Sequence, residues 1–235
     1  MEKKQSELCL EILRRFHEAS ILNDLILIGS WCVYFYKDYF TGIPYIDQAT
    51  LKTRDIDFLI FSPSRIRRNV NIPELLKDLG FVTIYKGSRG YIKLDHPDLI
   101  LEFLVPEKGK GTDKPIPLPR LGMNAVALRF LSLLADNIIK IKVEDFNISV
   151  PHPVNFALHK LIIFQRRLKE DKAAKDRNAA IEILRALITK GEAVTIKHVF
   201  DAMIPKWQKK VIKGLEGAEE KEILDILTVG VSSAR

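Results

Sequence analysis

The sequence predicts an α+β protein, a mixed sheet with flanking helices followed by a mostly helical C-terminal domain. Three stretches carry that expectation. Leu25-Ile26-Leu27-Ile28 is an apolar run ending at Gly29-Ser30, and Asp55-Ile56-Asp57-Phe58-Leu59-Ile60 is a second run with two acids one residue apart. Beyond Pro151-His152-Pro153 the apolar residues recur at helical spacing. Residues 106–120 hold Pro106, Gly109, Gly111, Pro115, Pro117 and Pro119, which predicts a division into an α/β domain (1–105), a linker (106–120) and a helical domain (121–235).

In chain order, Leu8, Ile12, Leu13 and Phe16 give an amphipathic opening helix over 6–20 that breaks at Asn23-Asp24. Strand 25–28 follows, then a helix rich in aromatics from Trp31 to Phe40, ended by Thr41-Gly42-Ile43-Pro44. The polar interval up to Thr53 reads as a loop bordering a cleft. Asp55 to Phe61 is the next strand, closed by Ser62-Pro63-Ser64; a helix over 73–79 stops at Gly80. Phe81–Tyr85 and Tyr91–Leu94 form a hairpin, and Leu99–Val105 is a further strand. Past the proline-rich stretch, 125–134 is expected to be helical and 139–143 with 146–150 a small hairpin. Helices over 154–169, 172–189, 196–214 and 219–228 complete the chain.

Composition is that of an ordinary globular protein, 47% hydrophobic and 29% charged over 235 residues. The net charge of +7 is uneven, since residues 151–235 hold 16 Lys and Arg against 11 Asp and Glu. That third is the better candidate to meet phosphate. Two cysteines, Cys9 and Cys32, are too few for a disulfide scaffold or a zinc site. No apolar run approaches the roughly 18–20 residues of a membrane span, and the expected location is the cytoplasm.

Side chains alternate along a strand, so Asp55 and Asp57 project to one side while Ile56 and Phe58 project to the other. Two carboxylates about 7 Å apart at their Cα atoms can converge on a hard, oxygen-seeking ion such as Mg²⁺. Glu102 is the one acid inside the apolar run 99–105, where an unpaired carboxylate is expensive. A glycine at the end of strand 25–28 lets the backbone come close to a ligand, and the N–H groups of a helix start attract phosphate. Together Asp55, Asp57 and Glu102 could hold two metal ions and orient a triphosphate for in-line attack.

Gly29-Ser30, then Asp55-Ile56-Asp57 between apolar residues, then Leu101-Glu102-Phe103 resembles the nucleotidyltransferase superfamily that includes DNA polymerase β. The interval between the Gly-Ser turn and the acid pair is longer than usual for that superfamily, and the third acid is Glu where Asp is commoner. Pro153-Val154-Asn155-Phe156-Ala157-Leu158-His159-Lys160-Leu161 with Lys172-Ala173-Ala174-Lys175-Asp176 is similar to bacterial abortive-infection toxin-type members. The resemblance implies a nucleotidyltransferase-like domain at 1–105 and a Mg²⁺- or Mn²⁺-dependent enzyme moving a nucleoside monophosphate from an NTP to an RNA or protein hydroxyl. It implies Gly29, Ser30, Lys160, Lys175 and Asp176 as nucleotide-binding residues, and an antitoxin-like protein as a partner. The alternative is an inactive binding module on the same scaffold, holding RNA or protein through its basic helices. One unbroken helix over 154–189 would separate Lys160 from Asp176 by about 24 Å, so the reading requires a break near 169–173.

Overall fold

A computed structural model describes residues 3–45 and 53–229. Its described residues divide into two compact units, Met1–Phe35 with Asp47–Pro151, and Tyr36–Ile46 with His152–Arg235. The units part at Pro151–His152 and not in the proline-rich stretch, because that stretch feeds the sheet.

The first unit is built on a seven-stranded mixed sheet. Its core order is β1 (Ile26–Ile28), β2 (Asp55–Leu59), β5 (Ile100–Pro106), β4 (Tyr91–Asp95) and β3 (Val82–Lys86). β1 runs antiparallel to β2, and β2 parallel to β5. The far edge of β5 is shared, with β4 paired at Leu94 and Asp95 and β7 (Met123–Leu128) running parallel from Phe103 to Pro106. β6 (Ile116–Leu118) adds to β7 from within the stretch expected to be a linker. Its prolines remain compatible because β6 pairs on one edge alone, where a missing N–H is tolerated.

The expected helix over 125–134 is a strand for its first half, and only Ser132–Ala135 (α4) is helical. Pairing outweighs the helix propensity of Ala125 and Ala127: β7 gains the open half of β5, and Asn124 stitches it to the β3–β4 hairpin. The Asn124 amide donates to the Gly90 carbonyl at 3.0 Å and accepts from the Ile92 N–H at 2.9 Å. The hairpin expected at 139–150 forms as β8 (Ile138–Val143) and β9 (Phe146–Pro151).

The two faces of this sheet are covered differently. On one, Phe16 of α1 (Lys3–Glu18) meets Phe58 edge-on at 5.3 Å, and Phe58 stacks on Phe103 at 5.9 Å. On the other, Leu131 and Leu134 cluster with Ile26, Ile28, Leu59 and Leu104. That second face also carries Asp55, Asp57 and Glu102, since alternation places them with Leu59 and Leu104. Its apolar half is buried and its acidic half stays partly accessible.

The second unit holds helices α5 (Pro153–Ile163), α6 (Glu170–Thr189), α7 (Ala193–Asp201), α8 (Pro205–Glu216) and α9 (Lys221–Thr228). The helix expected over 196–214 is two helices, since Pro205 lacks the N–H to continue one and opens the next at its first turn. α2 spans only Trp31–Phe35, shorter than the expected 31–40. Part of the expected cleft-bordering loop, residues 46–52, lies outside the described residues.

Candidate active site

In the sheet unit the register builds a row across three strands. Ile28 stands opposite Asp57, and Asp57 opposite Glu102. Asp55 stands opposite Ile100, two residues back on the same face. The row ends where β1 turns at Gly29, whose φ of +75° is a left-handed conformation that favours glycine. A Cβ built there would meet Asp57 Oδ2 at 2.7 Å, so only glycine leaves that carboxylate its place. Ser30 follows, partly exposed, ahead of α2. With five residues, α2 contributes little macrodipole, which leaves the backbone N–H groups of the turn and the Ser30 hydroxyl as the donors there.

The donor chemistry of Asp55 and Asp57 suits a hard divalent ion, with two carboxylates on one strand face and Gly29 leaving room beside the second. Glu102 is engaged differently. Its Oε2 forms an ion pair with the Lys93 ammonium at 2.5 Å, and the two side chains are 15% and 18% exposed. Among the described residues, no group of three or more His, Cys, Asp or Glu comes together as a metal site. Among the three expected acids, the structure pairs Glu102 with a lysine.

Lys93 escaped sequence reasoning because nothing local marks it. It lies on β4 one register step past the Leu94–Leu101 pair, and only the pairing of β4 with β5 brings it to Glu102. Its signal was indirect, a lysine at an alternating position of a strand beside a strand that buries an acid.

In the helical unit, the break that the sequence requires is present slightly earlier than expected. α5 ends at Ile163, a 3-10 turn covers Phe164–Arg166, and Arg167 and Lys169 are extended before α6 begins at Glu170. The chain reverses and the Lys160 ammonium forms a buried ion pair with Asp176 Oδ1. Arg167, from the break itself, donates to Asp176 Oδ2 at 2.7 Å. Burial alone would raise the Asp176 pKa, but Lys160 and Arg167 outweigh it and hold the carboxyl below its ordinary value. Lys175 is exposed, on a different side of α6 from the buried Asp176. Beside the pair, burial and then the Lys160 charge push the His159 pKa down to about 3, so His159 is neutral. Phe156 lies under the lysine, with Nζ 5.4 Å from the ring centroid.

A separate group in this unit joins Tyr39, His152 and Glu192. The Tyr39 hydroxyl donates to the Glu192 carboxylate at 2.7 Å and lies 2.9 Å from His152 Nε2. His152 Nδ1 accepts from the Val154 N–H and caps α5.

Solved structures similar to this chain include three that cover most of it. The antibiotic-resistance factor ANT(2″)-Ia in complex with adenylyl-2″-tobramycin is 15% identical, covering 84% of this chain and 95% of that one, with a TM-score of 0.46. A solution structure of ANT(2″)-Ia is 11% identical over 92% and 97%, with a TM-score of 0.45. An antigenic nucleotidyltransferase-like protein from Paracoccidioides brasiliensis is 12% identical over 94% and 92%, with a TM-score of 0.48. No curated protein matches the chain in sequence. With TM-scores below one half, these likenesses do not carry the assignment, which rests on the sequence model of the family described as nucleotidyltransferase. That model matches residues 7–203, most of the chain, and the protein belongs to the nucleotidyltransferase family.

Proposed function

We propose that the chain transfers a nucleoside monophosphate from an NTP to a hydroxyl of RNA or protein, with Mg²⁺ or Mn²⁺ bound by Asp55 and Asp57. The observation that supports this reading is the register row: both aspartates share one face of β2, and Glu102 stands beside Asp57 on β5. When bound, the divalent ion supplies positive charge that offsets the charge developing on the transferred phosphoryl oxygens. The Gly29-Ser30 turn donates backbone N–H groups and the Ser30 hydroxyl to the triphosphate. Glu102 takes the proton of the acceptor hydroxyl as that oxygen bonds to the α-phosphorus and the bond to the departing pyrophosphate breaks. Lys93 holds one oxygen of Glu102, which leaves Oε1 as the accepting atom. No helix among the described residues is long and apolar enough to cross a membrane, and the cytoplasm is the proposed location.

The test is incubation with each α-labelled NTP, Mg²⁺ or Mn²⁺, and total RNA or cell lysate. Native protein should label an acceptor. Asp57→Asn should abolish labelling while the far-UV circular dichroism spectrum stays native, because the amide keeps the side chain's volume and loses only its charge. Glu102→Gln should slow transfer by roughly 10²–10⁴-fold, the usual contribution of a general base. Label in no acceptor with either metal refutes the enzyme reading, and RNA binding that survives Asp57→Asn would then favour a binding module.

A further inference from the structure

The Lys93–Glu102 pair changes what the acid row can hold. Both side chains are mostly buried, and the ammonium lies 2.5 Å from Glu102 Oε2 in an ion pair. β4 is held in place on both edges: Ile84 pairs with Lys93 on one side, and Leu94 and Asp95 pair with β5 on the other. The sheet therefore fixes the backbone at Lys93, and the side chain it sends to Glu102 is mostly buried. A divalent ion placed on Glu102 would have to displace this ammonium or sit against its like charge.

We propose that Lys93 takes the cation position at Glu102, so that this chain holds its divalent ion with Asp55 and Asp57 alone and keeps Glu102 out of the metal site. The inference rests on the functional reading above and deepens it, by assigning Glu102 to the proton and the two aspartates to the metal. Lys93 then acts through Glu102 as a positioning residue. Its effect is to keep one oxygen of that carboxylate occupied and the other directed to the row.

Mn²⁺ binding to the full chain, read by electron paramagnetic resonance without any turnover, separates the possibilities. Asp57→Asn should weaken Mn²⁺ by about tenfold or more, as loss of a direct ligand does, whereas Lys93→Met with Glu102→Gln, which removes both charges of the pair, should leave the affinity within about twofold of native. Lys93→Met should release Glu102, tightening Mn²⁺ or adding a second bound ion, and Lys93→Met with Glu102→Gln should remove that gain. If that double variant weakens Mn²⁺ by about tenfold, Glu102 is a ligand and the inference is overturned while the functional reading stands. If neither Asp57→Asn nor Asp55→Asn affects Mn²⁺, the metal reading fails and the inference falls with it. Should Lys93→Met alone not fold, the double variant, which leaves no lone charge buried, is compared directly with Asp57→Asn and decides.

Discussion

Removing Asp176 should be among the most damaging single changes available in the helical unit. Asp176→Ala leaves the Lys160 ammonium at 7% exposure on α5 with no carboxylate, while Arg167, whose side chain is 41% exposed, can turn to water. Breaking a buried pair by deleting one partner typically costs about 3–5 kcal/mol, because the remaining charge stays desolvated. For a chain of this length each kcal/mol moves Tm by about 2–4 °C, so the expected fall is roughly 6–20 °C. Urea denaturation followed by far-UV circular dichroism measures the loss directly. Replacing both charges, Lys160→Met with Asp176→Leu, should recover stability to within about 1 kcal/mol of the native chain, since no lone charge is then buried. A loss below about 1 kcal/mol for Asp176→Ala would refute the reasoning, because it would mean that Lys160 reaches solvent or another anion.

Two further outcomes follow from the same geometry. Gly29→Ala forces a side chain into a left-handed backbone and against Asp57 Oδ2, so it should cost about 1–2 kcal/mol in urea denaturation and also weaken Mn²⁺ binding; native Mn²⁺ affinity would contradict the placement of Asp57. His159 gives a pH dependence, since its folded pKa of about 3 lies below the ordinary 6.5. Between those values the unfolded chain binds a proton that the folded chain does not, so stability is intact above pH 6.5 and falls as pH drops towards 3. From pH 6.5 to 5 the loss should be about 2 kcal/mol, and His159→Gln should flatten that part of a denaturation-against-pH curve.

Much of the sheet unit is legible in the chain because strand alternation is a local property. Asp55 and Asp57 share a face whatever the strand packs against, and a glycine after Ile28 signals a turn in any fold. The Lys160–Asp176 pairing was legible as a requirement: sixteen residues of unbroken helix would hold the two apart, so the resemblance demanded a break, and the turn at 164–169 supplies it. What escaped was set by long-range pairing. Residues 125–128 look helical until β5 offers an open edge, and the proline-rich stretch looks like a linker until β6 finds β7.

By itself, the sequence determined the kind of chemistry this protein carries: two carboxylates one residue apart on a strand, a glycine turn before them, and a third acid on a later apolar run. Which of those acids stands beside which, and what else reaches them, only the tertiary structure decided. Register set Asp57 against Glu102, and β4, distant from both in function as in pattern, delivered Lys93 to Glu102. The physical reason is that a side chain's direction is fixed within a few residues of backbone, whereas the charge it meets is fixed by strands paired across the sheet.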